Sequence, residues 1–334
     1  MKAREYTFDA TYQPQVRGKT DTSRIMLDVI IALVPAMAVA VWQFGLKALL
    51  LIAVSVAACV FFEWLYRKLM KKPSSIGDLS ACVTGVLIAL VVPVSAPWWM
   101  CVVGAAFAMV IVKQLYGGLG KNFLNPALAA RAFMMASWPV IMTTWAVPAA
   151  LSGVVDGVTM ATPLSFMYAG QALPEYYSLG SLFIGTCAGC IGEISAAALI
   201  LGGLYLLVKK VISWRIPVAF IGTVAVLCLI FGHEGYTNVD WMLYNVLTGG
   251  LLLGAIFMAT DYSSSPVTLK GQLLYGFGCG ALTVLIRYFG SFPEGVSYAI
   301  LIMNLCAWAI DKGTRGRQFG VSKEDLKAAK EAKA

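Results

Sequence analysis

Hydrophobic residues in this chain form long runs interrupted by short polar segments, and most runs are about as long as a membrane-crossing helix. A window of about 19 residues identifies ten of them. The runs are 25–44, 46–65, 79–95, 97–113, 127–146, 181–208, 216–232, 241–260, 272–289 and 295–310. This pattern predicts an all-α integral membrane protein with about ten transmembrane helices.

The composition agrees with a membrane protein and excludes a pair of soluble domains. Hydrophobic residues make up 59% of the 334 residues and charged residues 13%, about half the usual charged share of a soluble chain. The net charge of +8 falls in short clusters between apolar runs, so we expect contact with membrane lipid and not with nucleic acid. We divide the chain into a cytoplasmic segment 1–24, a membrane domain 25–310 and a cytoplasmic basic tail 311–334.

The distribution of Lys and Arg predicts the orientation, because short cytoplasmic loops carry an excess of these residues. With ten spans and both termini in the cytoplasm, all of the 25 basic residues except Lys47 and Arg287 fall on the cytoplasmic side. Residues 132–208 contain no Lys or Arg. The long loop at about 145–178 is therefore predicted to lie outside.

An internal repeat is a further possibility. Thr84-Gly85 in the third run and Thr248-Gly249 in the eighth run are each followed by an apolar stretch. Their separation is close to half the chain, and five helices per half would place the two halves in opposite orientations. Such inverted repeats are common in transport folds, so we predict a possible five-plus-five arrangement.

The external loop contains a motif of one acid, two hydroxyl residues and a proline. It reads Asp156-Gly157-Val158-Thr159-Met160-Ala161-Thr162-Pro163. From the spacing alone, the motif favours the start of a helix, with Asp156 or Thr159 as the N-cap and Pro163 at the first helical position.

Two other stretches lie at the ends of predicted spans. Residues 117–127, which link spans four and five, read Gly-Gly-Leu-Gly-Lys-Asn-Phe-Leu-Asn-Pro-Ala. Residues 257–268, which close span eight, read Phe-Met-Ala-Thr-Asp-Tyr-Ser-Ser-Ser-Pro-Val-Thr. The glycine-rich stretch lacks the strand, helix and Gly-Lys-Ser/Thr ending of a phosphate-binding loop. A tight re-entrant turn is the better interpretation of these residues.

Taken in order, these three motifs resemble the D subunit of Rnf-type ion-translocating oxidoreductases and the related B subunit of the sodium-translocating NADH:quinone oxidoreductase. The threonine motif is similar to the flavin-attachment signature Asp-x-x-Ser/Thr-x-Ala-Thr, although the strict form has Gly where this chain has Met160. The resemblance implies FMN joined by a phosphoester to Thr162 on the outer side. Asp156, Thr159 and Ala161 would complete the signature.

The resemblance also implies how such a subunit works. It implies a bacterial cytoplasmic membrane, ferredoxin and NAD⁺ as substrates of the whole complex, partner subunits A, B, C, E and G, and a flavin transferase for maturation. A second, non-covalent flavin such as riboflavin would contact Gly118, Asn122 and Asn125. The resemblance assigns no catalytic residue and no metal ligand to this chain. It implies that the chain would not act alone.

Three acids fall within the predicted spans, where charges are costly and mark ion paths or buried pairs. Asp28 has Arg24 one turn away, and Glu63 precedes the basic residues Arg67 and Lys68. Glu193 has no basic neighbour in its own predicted helix, which makes it the strongest candidate for an ion path.

The chain contains one Cys-x-x-Cys pair and admits one competing function. Cys187 and Cys190 fall early in span six, where we favour small-residue helix packing. The competing function is a secondary transporter or channel without flavin, in which the threonine motif is only a helix cap. Covalent flavin fluorescence would separate the two functions, whereas the sequence does not distinguish Na⁺ from H⁺.

The predicted orientation can be tested with an impermeant thiol reagent on intact cells. A cysteine introduced at Ser152 should be labelled because the loop at about 145–178 is predicted to lie outside. A cysteine at Ser322 should be labelled only after the cells are broken. The unmodified chain, with its eight native cysteines, supplies the background, and labelling of Ser322→Cys in intact cells would contradict the orientation.

Overall fold

The computed structural model describes residues 21–152, 157–233, 235–290 and 294–315, and it is built from helices. Residues 1–20 and 316–334, most of the predicted terminal segments, lie outside the described residues. The α-helices are α1 (Thr22–Phe44), α2 (Leu46–Leu69), α3 (Ser80–Leu90), α4 (Trp98–Ala106), α5 (Pro126–Ser137), α6 (Pro139–Met142), α7 (Pro163–Tyr168), α8 (Leu179–Ile184), α9 (Ala196–Val208), α10 (Arg215–Phe231), α11 (Asn238–Leu247), α12 (Leu251–Leu253), α13 (Leu269–Phe289) and α14 (Val296–Thr314).

The predicted all-α membrane class is confirmed, and every predicted span contains helix. Of the described helices, α1, α2 and α13 are individually long and apolar enough to cross a membrane. α4 and α12 continue as π-helical segments, Phe107–Gln114 and Gly254–Met258. The pair formed by α11 and Leu251–Met258 also satisfies the length and hydropathy criterion, but it bends by 59° at its break. The count of ten spans stays a prediction.

Span six is not the continuous helix that the hydropathy pattern predicts. α8 ends at Ile184, where Gly185 adopts φ +118°, and α9 begins only after Ser195. A left-handed backbone of this kind is unstrained only for glycine. The segment between the two helices is a series of turns that carries Cys187, Cys190 and Glu193. The prediction that the two cysteines lie in a packed helix is therefore wrong, and Glu193 lies in a break instead of mid-helix.

Two further breaks lie against this one. α3 ends at Leu90, and the amide groups of Ile191 and Gly192 donate to the carbonyl oxygens of Val92 (3.2 Å) and Leu90 (2.7 Å). Gly250, at the break between α11 and α12, lies against Glu193. Non-helical backbone is tolerated inside a membrane domain where protein groups satisfy it.

The two Thr-Gly pairs of the predicted repeat have different local structures. Thr84 and Gly85 lie within α3, where the Thr84 hydroxyl donates to the carbonyl oxygen of Ser80 at 2.9 Å. Thr248 and Gly249 lie at the break after α11, with Gly249 at φ +69°. This pair of matches therefore gives no structural support to the five-plus-five repeat, which stays a prediction.

Glycines let the helices around this centre approach closely. A Cβ atom placed on Gly202 of α9 would lie 2.1 Å from the carbonyl oxygen of Ala32 in α1. A Cβ atom placed on Gly85 of α3 would lie 2.6 Å from the Cα atom of Val56 in α2. Both contacts involve backbone, which cannot move aside as a side-chain end can, so these glycines fix the distances between the helix pairs.

The substitution Gly202→Ala should destabilise the protein because its methyl group would force α9 away from α1. Overpacking of this kind costs about 1–3 kcal/mol. Gly222→Ala in α10 is the matched control, because nothing lies within 4 Å of a Cβ atom placed there, and alanine is favoured over glycine in a helix. Melting temperatures of the purified proteins measure the difference, and equal melting temperatures for the two variants would contradict the close α1–α9 contact.

Candidate functional site: the threonine motif and the buried charge cluster

The segment before Thr162 is fixed by an antiparallel contact with the end of the preceding loop. Ala146 and Thr159 form a single β-bridge, and the Met160 amide donates to the carbonyl oxygen of Trp145 at 3.1 Å. The hydroxyl of the buried Tyr177 donates to the carbonyl oxygen of Ala161 at 2.8 Å. These contacts hold the backbone of the motif from Thr159 to Ala161.

Thr162 is the N-cap of α7. Its Oγ1 accepts a hydrogen bond from the Ser165 amide at 3.3 Å, and Pro163 is the first helical residue. The prediction of a helix start at Pro163 is confirmed, but the suggestion of Thr159 as its N-cap is wrong, because Thr159 lies exposed in the β-bridge. Asp156 lies outside the described residues.

A cavity of about 470 Å³ opens beside this motif. Its volume lies in the range of small-molecule sites. The lining residues are Met135, Thr143, Thr144, Trp145, Thr159, Met160, Ala161, Thr162, Ser165 and Glu294. Thr162 itself is only 5% exposed, so a largely buried threonine lines a space that is large enough for a planar aromatic ligand.

Behind the cavity lies a buried cluster around Arg131, which α5 contributes. Its Nη2 donates to Glu294 Oε2 at 2.7 Å, and its Nη1 donates to the carbonyl oxygen of Val91 at 3.1 Å and contacts Cys190 Sγ at 3.3 Å. The charge census counted Arg131 among the basic residues of the cytoplasmic side, and the structure shows that its side chain is enclosed by the bundle.

Glu193 and Glu294 approach each other in this cluster. Glu193 Oε1 accepts from the Cys190 amide at 2.6 Å, and its Oε2 has no hydrogen-bond partner among the described residues. Ligand atoms of Cys190, Glu193 and Glu294 all lie within 4.8 Å of one another. Burial and the nearby Glu193 raise the pKa of Glu294, in the α13–α14 connection, to about 8 against the opposing effect of Arg131.

The two other predicted acids have partners on other helices. Asp28 accepts a hydrogen bond from the Tyr205 hydroxyl at 2.7 Å. Glu63 is fully buried and pairs with Lys113 at 3.2 Å, not with the predicted Arg67 and Lys68. That prediction failed because it looked for a cation on the same helix, whereas the π-helical segment after α4 supplies it. Neither acid lies in the Glu193 cluster.

The two remaining motifs meet at the other end of the bundle. Asn125 caps α5 with Oδ1 and donates through Nδ2 to the carbonyl oxygen of Met258 at 3.1 Å. Asn122 forms a hydrogen bond with Asp261. Burial raises the pKa of Asp261, although hydrogen bonds from Ser264, Ser263 and Asn122 oppose this increase.

Two cavities, of about 90 and 600 Å³, open beside this contact. Asn122 and Asn125 line the smaller one, whereas Gly118 lines neither cavity and lies against Arg67. Of the three residues predicted to contact a second flavin, the structure therefore brings two together at a cavity.

The described residues define a polytopic α-helical membrane protein whose helices break around a buried charge cluster. A family model described as the NQR2, RnfD, RnfE family matches residues 10–320. The chain belongs to this family.

Similar proteins include the D subunits of named complexes. The chain is 49% identical to that of the Na(+)-translocating ferredoxin:NAD(+) oxidoreductase complex of Acetobacterium woodii, over 99% of both chains. It is 43% identical to that of the proton-translocating ferredoxin:NAD(+) oxidoreductase complex of Clostridium ljungdahlii, over 94% of this chain and 96% of that one. It is 37% identical to the D subunit of the ion-translocating oxidoreductase complex of Stutzerimonas stutzeri, over 90% of this chain and 93% of that one.

Proposed function

We propose that this chain is the D subunit of an ion-translocating ferredoxin:NAD⁺ oxidoreductase complex in a bacterial cytoplasmic membrane and that Thr162 carries FMN as a phosphoester. The names of the full-length relatives support the complex. The flavin is supported by one observation above all: the motif threonine lines a ligand-sized cavity outside the long helices.

The local geometry suits a covalent attachment at Thr162. A phosphoester forms when Oγ1 loses its proton and bonds to the phosphorus of an activated flavin nucleotide, whose leaving group takes the electron pair. Thr162 Oγ1 makes only long contacts, both at 3.3 Å, with Ser165. The hydroxyl is therefore not committed to a strong hydrogen bond that attachment would break. A bound FMN would supply the redox chemistry.

Side chains of this chain would orient the flavin. Trp145 lines the cavity and offers an aromatic surface for ring packing. Its carbonyl oxygen is held by the Met160 amide, so the ring and the attachment residue belong to one paired segment. Such positioning is the part of cofactor chemistry that a protein contributes.

The subunit would act with partners. The resemblance names subunits A, B, C, E and G and a flavin transferase, and the electron path from ferredoxin to NAD⁺ would cross several of these chains. The cavities beside Asn122 and Asn125 are the candidate position of a second, non-covalent flavin such as riboflavin. This arrangement would place one flavin at each end of the bundle.

A secondary transporter is the alternative, and the broken helices favour it specifically. Discontinuous helices with buried acids at the breaks build the central sites of many transporters. The presence or absence of covalent flavin distinguishes the two functions, because a secondary transporter does not require a flavin cofactor esterified to threonine.

The substitution Thr162→Ala should abolish covalent flavin because it removes the oxygen that forms the ester. The measurement is ultraviolet fluorescence of the denatured protein on a gel, after expression together with a flavin transferase. Thr143→Ala is the matched control, since Thr143 lines the same cavity outside the motif, and it should keep the full signal. Asp156→Ala should weaken the signal, because the transferase is expected to recognise the motif as a unit.

Two results would contradict this proposal. A fluorescent band that persists in Thr162→Ala would exclude Thr162 as the attachment residue. A band that is absent from the unmodified protein, under conditions where the transferase modifies another known substrate, would favour the transporter.

A further inference from the structure

A second, much smaller cavity lies between Thr162 and the helix breaks. Its volume is about 10 Å³, close to the least space that holds one water molecule or one small ion. Its lining includes Glu193, Glu294, Thr162 and Thr248. Four oxygen-bearing side chains therefore surround a space of atomic size.

One carboxylate oxygen at this cavity lacks a hydrogen-bond donor in the described part of the chain. Glu193 is 6% exposed, and its Oε1 is bound to the Cys190 amide, whereas Oε2 has no hydrogen-bond partner there. Oε2 faces the helix break, because a Cβ atom placed on Gly250 would lie 2.7 Å from it. A buried carboxylate oxygen without a donor is costly, so this position requires a proton or a cation.

The charges of the surrounding elements indicate the charge of the missing ligand. α5 contributes Arg131, which pairs with Glu294, and α13 contributes Arg287, which donates to the carbonyl oxygens of Asn245 (2.7 Å) and Thr248 (3.3 Å) at the end of α11. With both acids ionised, the two arginines equal the two acids in number. Arg131 pairs with Glu294, whereas Arg287 is directed to helix-end carbonyls, so among the described residues the Glu193 carboxylate has no ion-pair partner.

The cysteine of the cluster argues against a divalent metal. Cys190 Sγ donates to the carbonyl oxygen of Val91 and accepts from Arg131, both at 3.3 Å. A metal bound to this sulfur would have to displace the guanidinium or tolerate its positive charge at close range. A single monovalent cation at the two carboxylates needs no bond to this sulfur, and its repulsion from Arg131 is half that of a divalent ion.

We propose that Glu193 and Glu294 form a binding site for one monovalent cation, Na⁺ or H⁺, beside Thr162. The cation occupies the small cavity and completes the coordination of Glu193 Oε2. Its link to electron transfer rests on the proposed function, since a cation there would lie next to the flavin that Thr162 carries. Binding itself requires no flavin.

Thermal unfolding of the purified full-length chain tests the site. The raised pKa of Glu294 means that the folded state favours the protonated form, so this contribution to stability is lost as the pH rises from about 4.3 through about 8. If Na⁺ replaces the proton, NaCl should raise the melting temperature at about pH 9 by on the order of 3 °C relative to choline chloride. At about pH 6 the effect should be small, because protons then occupy the site.

Variants identify the residues responsible. Glu193→Gln and Glu294→Gln should each remove the Na⁺ effect. Glu294→Gln should also remove the fall in melting temperature with pH, whereas Glu193→Gln should only reduce it, because burial still raises the pKa of Glu294. Glu175→Gln, at an exposed acid of the loop, should keep both. If Glu294→Gln does not fold because Arg131 loses its partner, the double variant Arg131→Met/Glu294→Gln removes both charges and takes its place.

The outcomes separate the two ions and the two proposals. A pH effect that Glu294→Gln removes and Glu193→Gln reduces, without a Na⁺ effect, identifies a proton site. Neither effect in the unmodified chain, or effects unchanged in both Gln variants, would overturn the proposal. Repeating the titration on the unmodified chain expressed without a flavin transferase, which should keep the cation response, distinguishes a failure of this site from a failure of flavin attachment.

Discussion

The structure depends on one constraint: backbone groups freed where helices break inside an apolar bundle must find partners within the protein. The breaks after α3, between α8 and α9, and between α11 and α12 meet at one place. Their amides and carbonyls partly satisfy one another, as in the bond from Gly192 to Leu90. The remaining carbonyls, at Val91 and at the end of α11, accept from Arg131 and Arg287.

This solution brings charge into the centre of the molecule. A buried arginine requires an acid or several carbonyls, and Arg131 has Glu294 as well as the carbonyl oxygen of Val91. Glu193 enters the same region because the turns between α8 and α9 direct it there. Thr162 lies beside this cluster, since Leu164 of α7 packs at Gly249 in the α11–α12 break. The proposed flavin site and the proposed cation site are therefore consequences of the same set of breaks.

Sequence alone predicted the features that depend on local pattern. Hydropathy placed the helices and the membrane class, and Thr162-Pro163 located the start of α7. It did not predict the break in span six, because a 19-residue average over 181–208 conceals the left-handed Gly185. Nor could it pair Arg131 with Glu294, which are 163 positions apart. Charge counting uses only the position of Arg131 along the chain, so it could not reveal that this side chain is buried.

The central claim is that Thr162 and the buried charge cluster form one redox-linked site. A cryo-electron microscopy map of the chain within its native complex, purified with flavin retained, tests it most directly. The account predicts density that is continuous with Thr162 Oγ1 and a flavin ring in the adjoining cavity against Trp145. An unmodified Thr162 with flavin density elsewhere in this chain, or a cavity filled by a partner's side chains, would contradict it.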